Sequence, residues 1–197
     1  MSILDAMERL APPQDGVFTT SDLLAIQGSE NLVSLARWTA ALIRSGRLQR
    51  IRRGLYIWKN ANPASVARRL APDATLGFGS ALAHHLLIGT VPSRHHRFTT
   101  AGREVELETR EWKLSLHHIA PDLRFGTVKL PDGSLVTDPE KSAIDCLYFG
   151  QHGMPFSFDL EHDIDRSALR RDVFLDYVER YRNPRFRSYC RRWIDDV

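Results

Sequence analysis

The sequence predicts an α+β fold, on three observations. Apolar residues recur at helical spacing as far as Arg44 and lead into an arginine-rich hairpin. The period then changes to two, most clearly over Glu104-Val-Glu-Leu-Glu108. After Ser167 it returns to helical spacing.

The elements follow in order. Ile3, Leu4, Met7 and Leu10 share one face of an opening helix, which Ala11-Pro12-Pro13 stops. Val17-Phe18 predicts a brief strand. Thr19 to Asp22 offers a helix N-cap with an acid in the first turn, ahead of Leu23-Leu24. Gly28-Ser29 breaks that helix. A longer one is expected from about Glu30 to Arg44. Leu32, Leu35, Ala36, Thr39, Leu42 and Ile43 are expected on its inner face. Asn31, Ser34, Arg37, Trp38, Ala41 and Arg44 are expected on its outer face. Gly46 supplies the left-handed residue that ends it.

A hairpin comes next. Arg47 to Ile51 forms one strand, Arg52-Arg53-Gly54 the turn and Leu55 to Trp58 the return. Leu48 and Ile51 stand three apart, which predicts a bulge. Trp38 and Trp58 are expected to be packing residues. A helix, a helix-turn-helix and a basic hairpin in this order predict a winged helix over 1–60.

Asn60 to Pro63 reads as a linker to a second, mixed α+β domain over 61–197. A short helix over Ala64–Leu70, a strand from Thr75 and an apolar helix from Ser80 to Ile88 are expected. Strands follow near Glu104–Glu108, Lys113–Ile119 and Phe125–Leu130. Pro131 to Ser134 turns the chain into Leu135-Val136. Asp138-Pro139 then caps a helix whose apolar face is Ala143, Ile144, Leu147 and Tyr148. The tail is helical from Ser167 to Tyr181. A last helix carries the stripe Phe186, Tyr189, Cys190, Trp193 and Ile194.

Charge is distributed unevenly. Residues 31–72 hold nine Lys and Arg and no Asp or Glu. Of 27 basic residues, 18 then remain elsewhere against all 24 acids, so the rest of the chain is net negative by six. A solvated face normally mixes signs. A concentrated basic surface at a turn tip attracts polyanions, and double-stranded DNA fits it best. Ser34, Arg37 and Arg44 on the second helix are the expected base-facing residues. Arg47, Arg50, Arg52 and Arg53 on the hairpin are the expected phosphate anchors. A possible second basic patch lies on the last helix at Arg185, Arg187, Arg191 and Arg192.

Other chemistries find less support. The pairs His84-His85, His95-His96 and His117-His118 point their members apart on any regular element, so no metal site is expected. Asp73, Glu111 and Lys113 imitate the acid, acid and lysine set of metal-dependent nucleases, which is the enzymatic alternative. No serine nucleophile turn or phosphate loop occurs, so neither catalytic residues nor a cofactor is expected. No apolar run reaches the ~18 residues needed to span a bilayer. The first residues lack a basic-then-apolar leader. The two cysteines, Cys146 and Cys190, sit in apolar helical patterns as buried thiols, which suits the cytoplasm.

Five stretches in order resemble the AbiEi-family antitoxins of type IV toxin–antitoxin systems. They are Phe18-Thr-Thr-Ser-Asp-Leu-Leu24; Leu42 to Tyr56; Val66 to Asp73 with Gly79 to His85; Val91-Pro-Ser93 with Phe98-Thr-Thr100; and Thr137 to Leu147. The resemblance covers roughly 18–150. It implies a winged helix that represses its own operon at inverted repeats, with two copies on DNA from a monomer or weak dimer in solution. It also implies a second domain that counters a nucleotidyltransferase-like toxin, without requiring a stable complex. By position, Ser34, Arg37, Arg44, Arg47, Arg50, Arg52 and Arg53 match the DNA-binding element. A winged-helix regulator with no toxin is the non-enzymatic alternative.

Overall fold

A computed structural model describes residues 3–28, 31–89 and 94–196. The expected helix start at Glu30 and the stretch Val91–Ser93 lie outside the described residues. The chain is α+β, as expected, and divides into two compact units, 1–69 and 70–197.

The first unit runs α1 (Ile3–Leu10), β1 (Val17–Thr19), α2 (Thr20–Gln27), α3 (Leu32–Arg44), β2 (Leu48–Arg52), β3 (Leu55–Trp58) and α4 (Pro63–Leu70). Thr19 caps α2 through a capping box. Its hydroxyl accepts from the Asp22 N–H at 3.2 Å, and the Thr19 N–H donates to the Asp22 carboxylate at 2.7 Å. Gly28 closes that helix at φ +68. Asn31 caps α3 by accepting from the Val33 and Ser34 amides. Gly46, at φ +69, ends it. The three strands pair antiparallel in the order β1-β3-β2. The bulge falls between Arg50 and Arg52, leaving Ile51 unmatched. Met7, Phe18, Leu23, Leu35, Leu42, Leu48 and Trp58 make the core of this unit.

The boundary falls nine residues later than the expected one at 60, because α4 is tied into the first unit. The Ser65 hydroxyl donates to the Asp15 carboxylate at 2.6 Å, and the Asn62 N–H donates to the Asp15 carbonyl at 2.8 Å. A Cβ on Gly16 would stand 2.6 Å from Ala61 Cα, so glycine is required where these segments meet.

The second unit contains β4 (Thr75–Leu76), α5 (Phe78–His84), β5 (His95–Thr100), β6 (Val105–Glu108), β7 (Lys113–His118), β8 (Thr127–Lys129), β9 (Leu135–Thr137), α6 (Pro139–Gln151), α7 (Arg171–Glu179) and α8 (Pro184–Asp195). The sheet order is β6-β7-β5-β4-β9-β8. β5 runs parallel to β7 and antiparallel to β4, while β4 runs parallel to β9. β5 is the strand missing from the sequence reading. The helix expected at Ser167 begins at Arg171, after a short 3-10 turn over Arg166–Ala168.

Helices α5 to α8 share one core. Phe78, Leu82, Ile144, Leu147, Phe174, Val178, Phe186, Cys190 and Trp193 are buried in it. Phe174 stacks on Trp193 with ring centroids 5.6 Å apart. Burying each large apolar side chain is worth about 1.5–3 kcal/mol. Both cysteines are free and buried, and burial pushes the Cys190 thiol up to about 12.

Candidate nucleic-acid interface

The burial of α3 decides which side chains can meet a ligand. Leu35, Thr39 and Leu42 are its buried residues. Val33, Arg37 and Arg44, spaced four and seven apart, form the line opposite and are exposed. Three expected assignments are corrected. Leu32, Ala36 and Ile43 are exposed, not inward, because the buried face is narrow and they lie on its flank. Trp38 is half-buried against the core, not on the outer face. Ser34 is exposed but engaged: its hydroxyl accepts from Gln27 Nε2 at 2.6 Å, which fastens α3 to α2.

The hairpin arginines divide by what they touch. Arg47, Arg50, Arg52 and Arg53 are all exposed. Gly54, at φ +77, makes the tight turn beside Arg53. Arg50 Nε donates to the Arg52 carbonyl at 3.4 Å. Arg52 Nη2 donates to the Arg69 carbonyl at 2.8 Å, in the last turn of α4. That contact places a cation at a helix C-terminus, where the helix dipole favours it. None of Arg37, Arg44, Arg47, Arg50, Arg52 and Arg53 forms an ion pair with a described carboxylate. Their charge faces outward uncompensated.

The α8 patch differs. Glu179 holds both Arg187, at 3.2 Å, and Arg191. Arg180 pairs with Asp176 and Arg182 with Asp122. Arg185 and Arg192 alone remain as exposed cations of α8 outside these pairs. The sequence showed an acid-free run, but the partners come from α7 and from a turn distant in the chain.

The nuclease set does not converge. Asp73 accepts from the Thr100 hydroxyl and the Ala101 amide, and Arg124 pairs with it at 3.0 Å. Burial alone would raise its carboxyl. The Ala101 amide, Thr100 and Arg124 outweigh that and hold it below the ordinary range. Asp73 thus sits at the Thr100 end of β5, whereas Lys113 pairs with His95 at the other end. Five strand residues separate the two ends, roughly 17 Å at about 3.3 Å each. Lys113 is bound to Glu106 at 3.2 Å, and Glu111 is exposed. No group of three or more metal-ligating side chains occurs among the described residues. None of their helices is long and apolar enough to cross a membrane.

No protein-family model matches the chain, and no curated protein matches it. Its fold has a solved likeness. The RV2827C protein from Mycobacterium tuberculosis aligns with a TM-score of 0.61 over 95% of this chain and 75% of that one. The two are 16% identical, so the likeness shows the fold alone.

Val33 and Leu32 were absent from the sequence-derived site. Both are 63% exposed at the start of α3. Counting fourfold and sevenfold spacings back from Arg44 through Arg37 reaches Val33 and would have found it. Nothing in the residue order marks Arg52 as tethered, since its acceptor is a backbone carbonyl.

Proposed function

We propose that this chain is a DNA-binding antitoxin that represses its own operon and counters a nucleotidyltransferase-like toxin in the cytoplasm. The observation that carries the DNA half is the row of exposed, uncompensated arginines on α3 and the β2–β3 hairpin. In this reading the first unit is a winged helix. α3 enters the major groove with Arg37 and Arg44 facing base edges or phosphates, and Val33 suits a thymine methyl. The hairpin anchors phosphates through Arg47, Arg50 and Arg53. The antitoxin half rests on the resemblance carried by the ordered stretches from Phe18 to Leu147.

Fluorescence anisotropy of the full chain on the duplex upstream of its own gene tests the first half. Expected is saturable binding at an inverted repeat, weakened at least tenfold by Arg37→Ala with Arg44→Ala. Equal binding to a scrambled duplex overturns it. Co-expression tests the second half: growth arrest by the adjacent nucleotidyltransferase gene is relieved by this chain. An adjacent gene that causes no arrest favours a plain regulator instead.

A further inference from the structure

The second unit holds a small cavity of about 100 Å³, its wall more apolar than polar, lined by Gly79, Ser80, His95, Arg97 and Ser157. Its floor is the sheet. Arg97 on β5 is paired in register with Ser115 on β7, and Ser115 with Glu106 on β6, so their side chains share a face. His95 lies on that face two residues earlier. Ser80 comes from α5 and Ser157 from the segment after α6.

Arg97 is the central group. Its guanidinium is half-buried and lies 5.0 Å from the centroid of the Phe156 ring, within cation–π range. Among the described residues it makes no side-chain hydrogen bond or ion pair, and its nitrogens are not sealed from solvent, so they remain open to a ligand entering the cavity. A guanidinium carries five N–H donors, and drawing one partly out of water without an acceptor is costly. The nearest acid across the sheet, Glu106, is held by Lys113 at 3.2 Å and is largely exposed. Burial, with Arg97 and Lys113 adding, pushes His95 down to about 4, so its ring is neutral at pH 7. Burial and Arg97 lower His117 too, and its Nε2 is buried without a partner. The fixed positive charge at the cavity is therefore that of Arg97, surrounded by neutral polar groups.

The remaining polar groups converge from three directions. The Ser80 hydroxyl accepts from the Arg97 N–H at 3.1 Å and makes a long 3.3 Å bond to the His95 carbonyl, so its proton can be redirected. The His95 ring is joined to the Ser115 hydroxyl through Nε2. Ser157, from the segment after α6, completes the lining. Donors arriving from a sheet, a helix and a loop suit a tetrahedral oxyanion better than a planar carboxylate. The space is sufficient for one phosphoryl group.

We propose that this cavity binds a phosphoryl group, with the Arg97 guanidinium as its counter-charge and Ser80, His95 and Ser157 as its neutral partners. The phosphoryl group is either inorganic phosphate or the end of a nucleoside monophosphate whose sugar and base project outward. The site is independent of the arginines of the first unit.

Calorimetric titration of the full chain with inorganic phosphate, at ionic strength matched with chloride, tests this. Expected is one-to-one binding, weakened at least tenfold by Arg97→Gln. Ser157→Asp places a carboxylate beside Arg97 at an exposed position that tolerates change, and the same loss is expected with the circular dichroism spectrum unaltered. Arg50→Ala with Arg53→Ala leaves the binding intact. The imidazole resonances of His95 and His117 shift on saturation. A nucleoside monophosphate that binds more tightly than phosphate identifies a nucleotide as the source, and equal binding identifies the free ion. No heat beyond the chloride control overturns the proposal. Unchanged affinity in Arg97→Gln and Ser157→Asp does so too, as does equally tight binding of acetate.

Discussion

Lys141 and Asp145, one turn apart on α6, form an ion pair with side-chain exposures of 1% and 0%. Tyr181 stands over both: its hydroxyl lies 3.2 Å from Lys141 Nζ and donates to Asp145 Oδ1 at 3.2 Å. The Phe125 ring lies 4.9 Å from the ammonium. Burial pushes the Asp145 carboxyl up against the pull of Lys141, and its Oδ2 has no partner. A buried pair of this kind adds little net stability, but breaking one half leaves a buried group uncompensated. Lys141→Met is therefore expected to cost about 3–5 kcal/mol by urea denaturation. Adding Asp145→Leu should recover most of that loss. Losses that simply add in the double variant would show that the two residues are not coupled.

Glu140, next to this pair, makes a different contact. Its side chain is 1% exposed and accepts from the Arg170 N–H at 2.8 Å, Nε at 3.0 Å and Nη2 at 2.9 Å. Burial raises the Glu140 carboxyl, but the side-chain and backbone bonds from Arg170 outweigh it and hold the group below its ordinary value. A folded-state value below the unfolded one gives stability that is present above the unfolded value, about 4.3. That stability is lost as pH falls through the lower folded one. Glu140→Gln should therefore lower the unfolding free energy at pH 7, measured by urea denaturation, by about 1.5–3 kcal/mol. The gap between variant and parent should close as the pH is taken below 4.3. A gap that stays constant with pH would assign the loss to packing.

These two contacts show where sequence reading reaches and where it stops. α6 was legible from Asp138-Pro139 at its start and from the spacing of Ala143, Ile144 and Leu147. The burial of Glu140, Lys141 and Asp145 was not, because their partners Arg170 and Tyr181 lie thirty or more residues away. β5 escaped for a related reason. His95 and Arg97 meet Ser80 of α5, and the strand is half-buried at its start and buried at its end without the apolar alternation that announces one. In the first unit the Thr19 cap, Gly46 and the hairpin bulge were local signals, whereas Asn31, expected on the outer face of α3, caps that helix instead. The face of α3 was less legible, since Leu32 and Ile43 have the composition of core residues but sit on an exposed flank.

The hairpin arginines yield the last prediction. Each phosphate neutralised adds about 0.9 to the log–log salt slope of DNA binding. Residue order alone makes Arg50, Arg52 and Arg53 equivalent, with a combined change of roughly 3 when all are removed. The structure separates them. Arg52 Nη2 is committed to the Arg69 carbonyl, while Arg53 flanks the turn glycine and Arg50 is held only through its Nε. Under the proposed function, Arg50→Ala with Arg53→Ala should flatten the slope by about 1.8. Arg52→Ala should change it little and instead loosen the hairpin from α4, read as faster amide exchange in β2 and the last turn of α4. Anisotropy titrations from low to moderate salt measure the first effect. A slope unmoved by the double change would take the hairpin off the DNA. A full unit lost with Arg52→Ala would mean that its bond to Arg69 is released on binding.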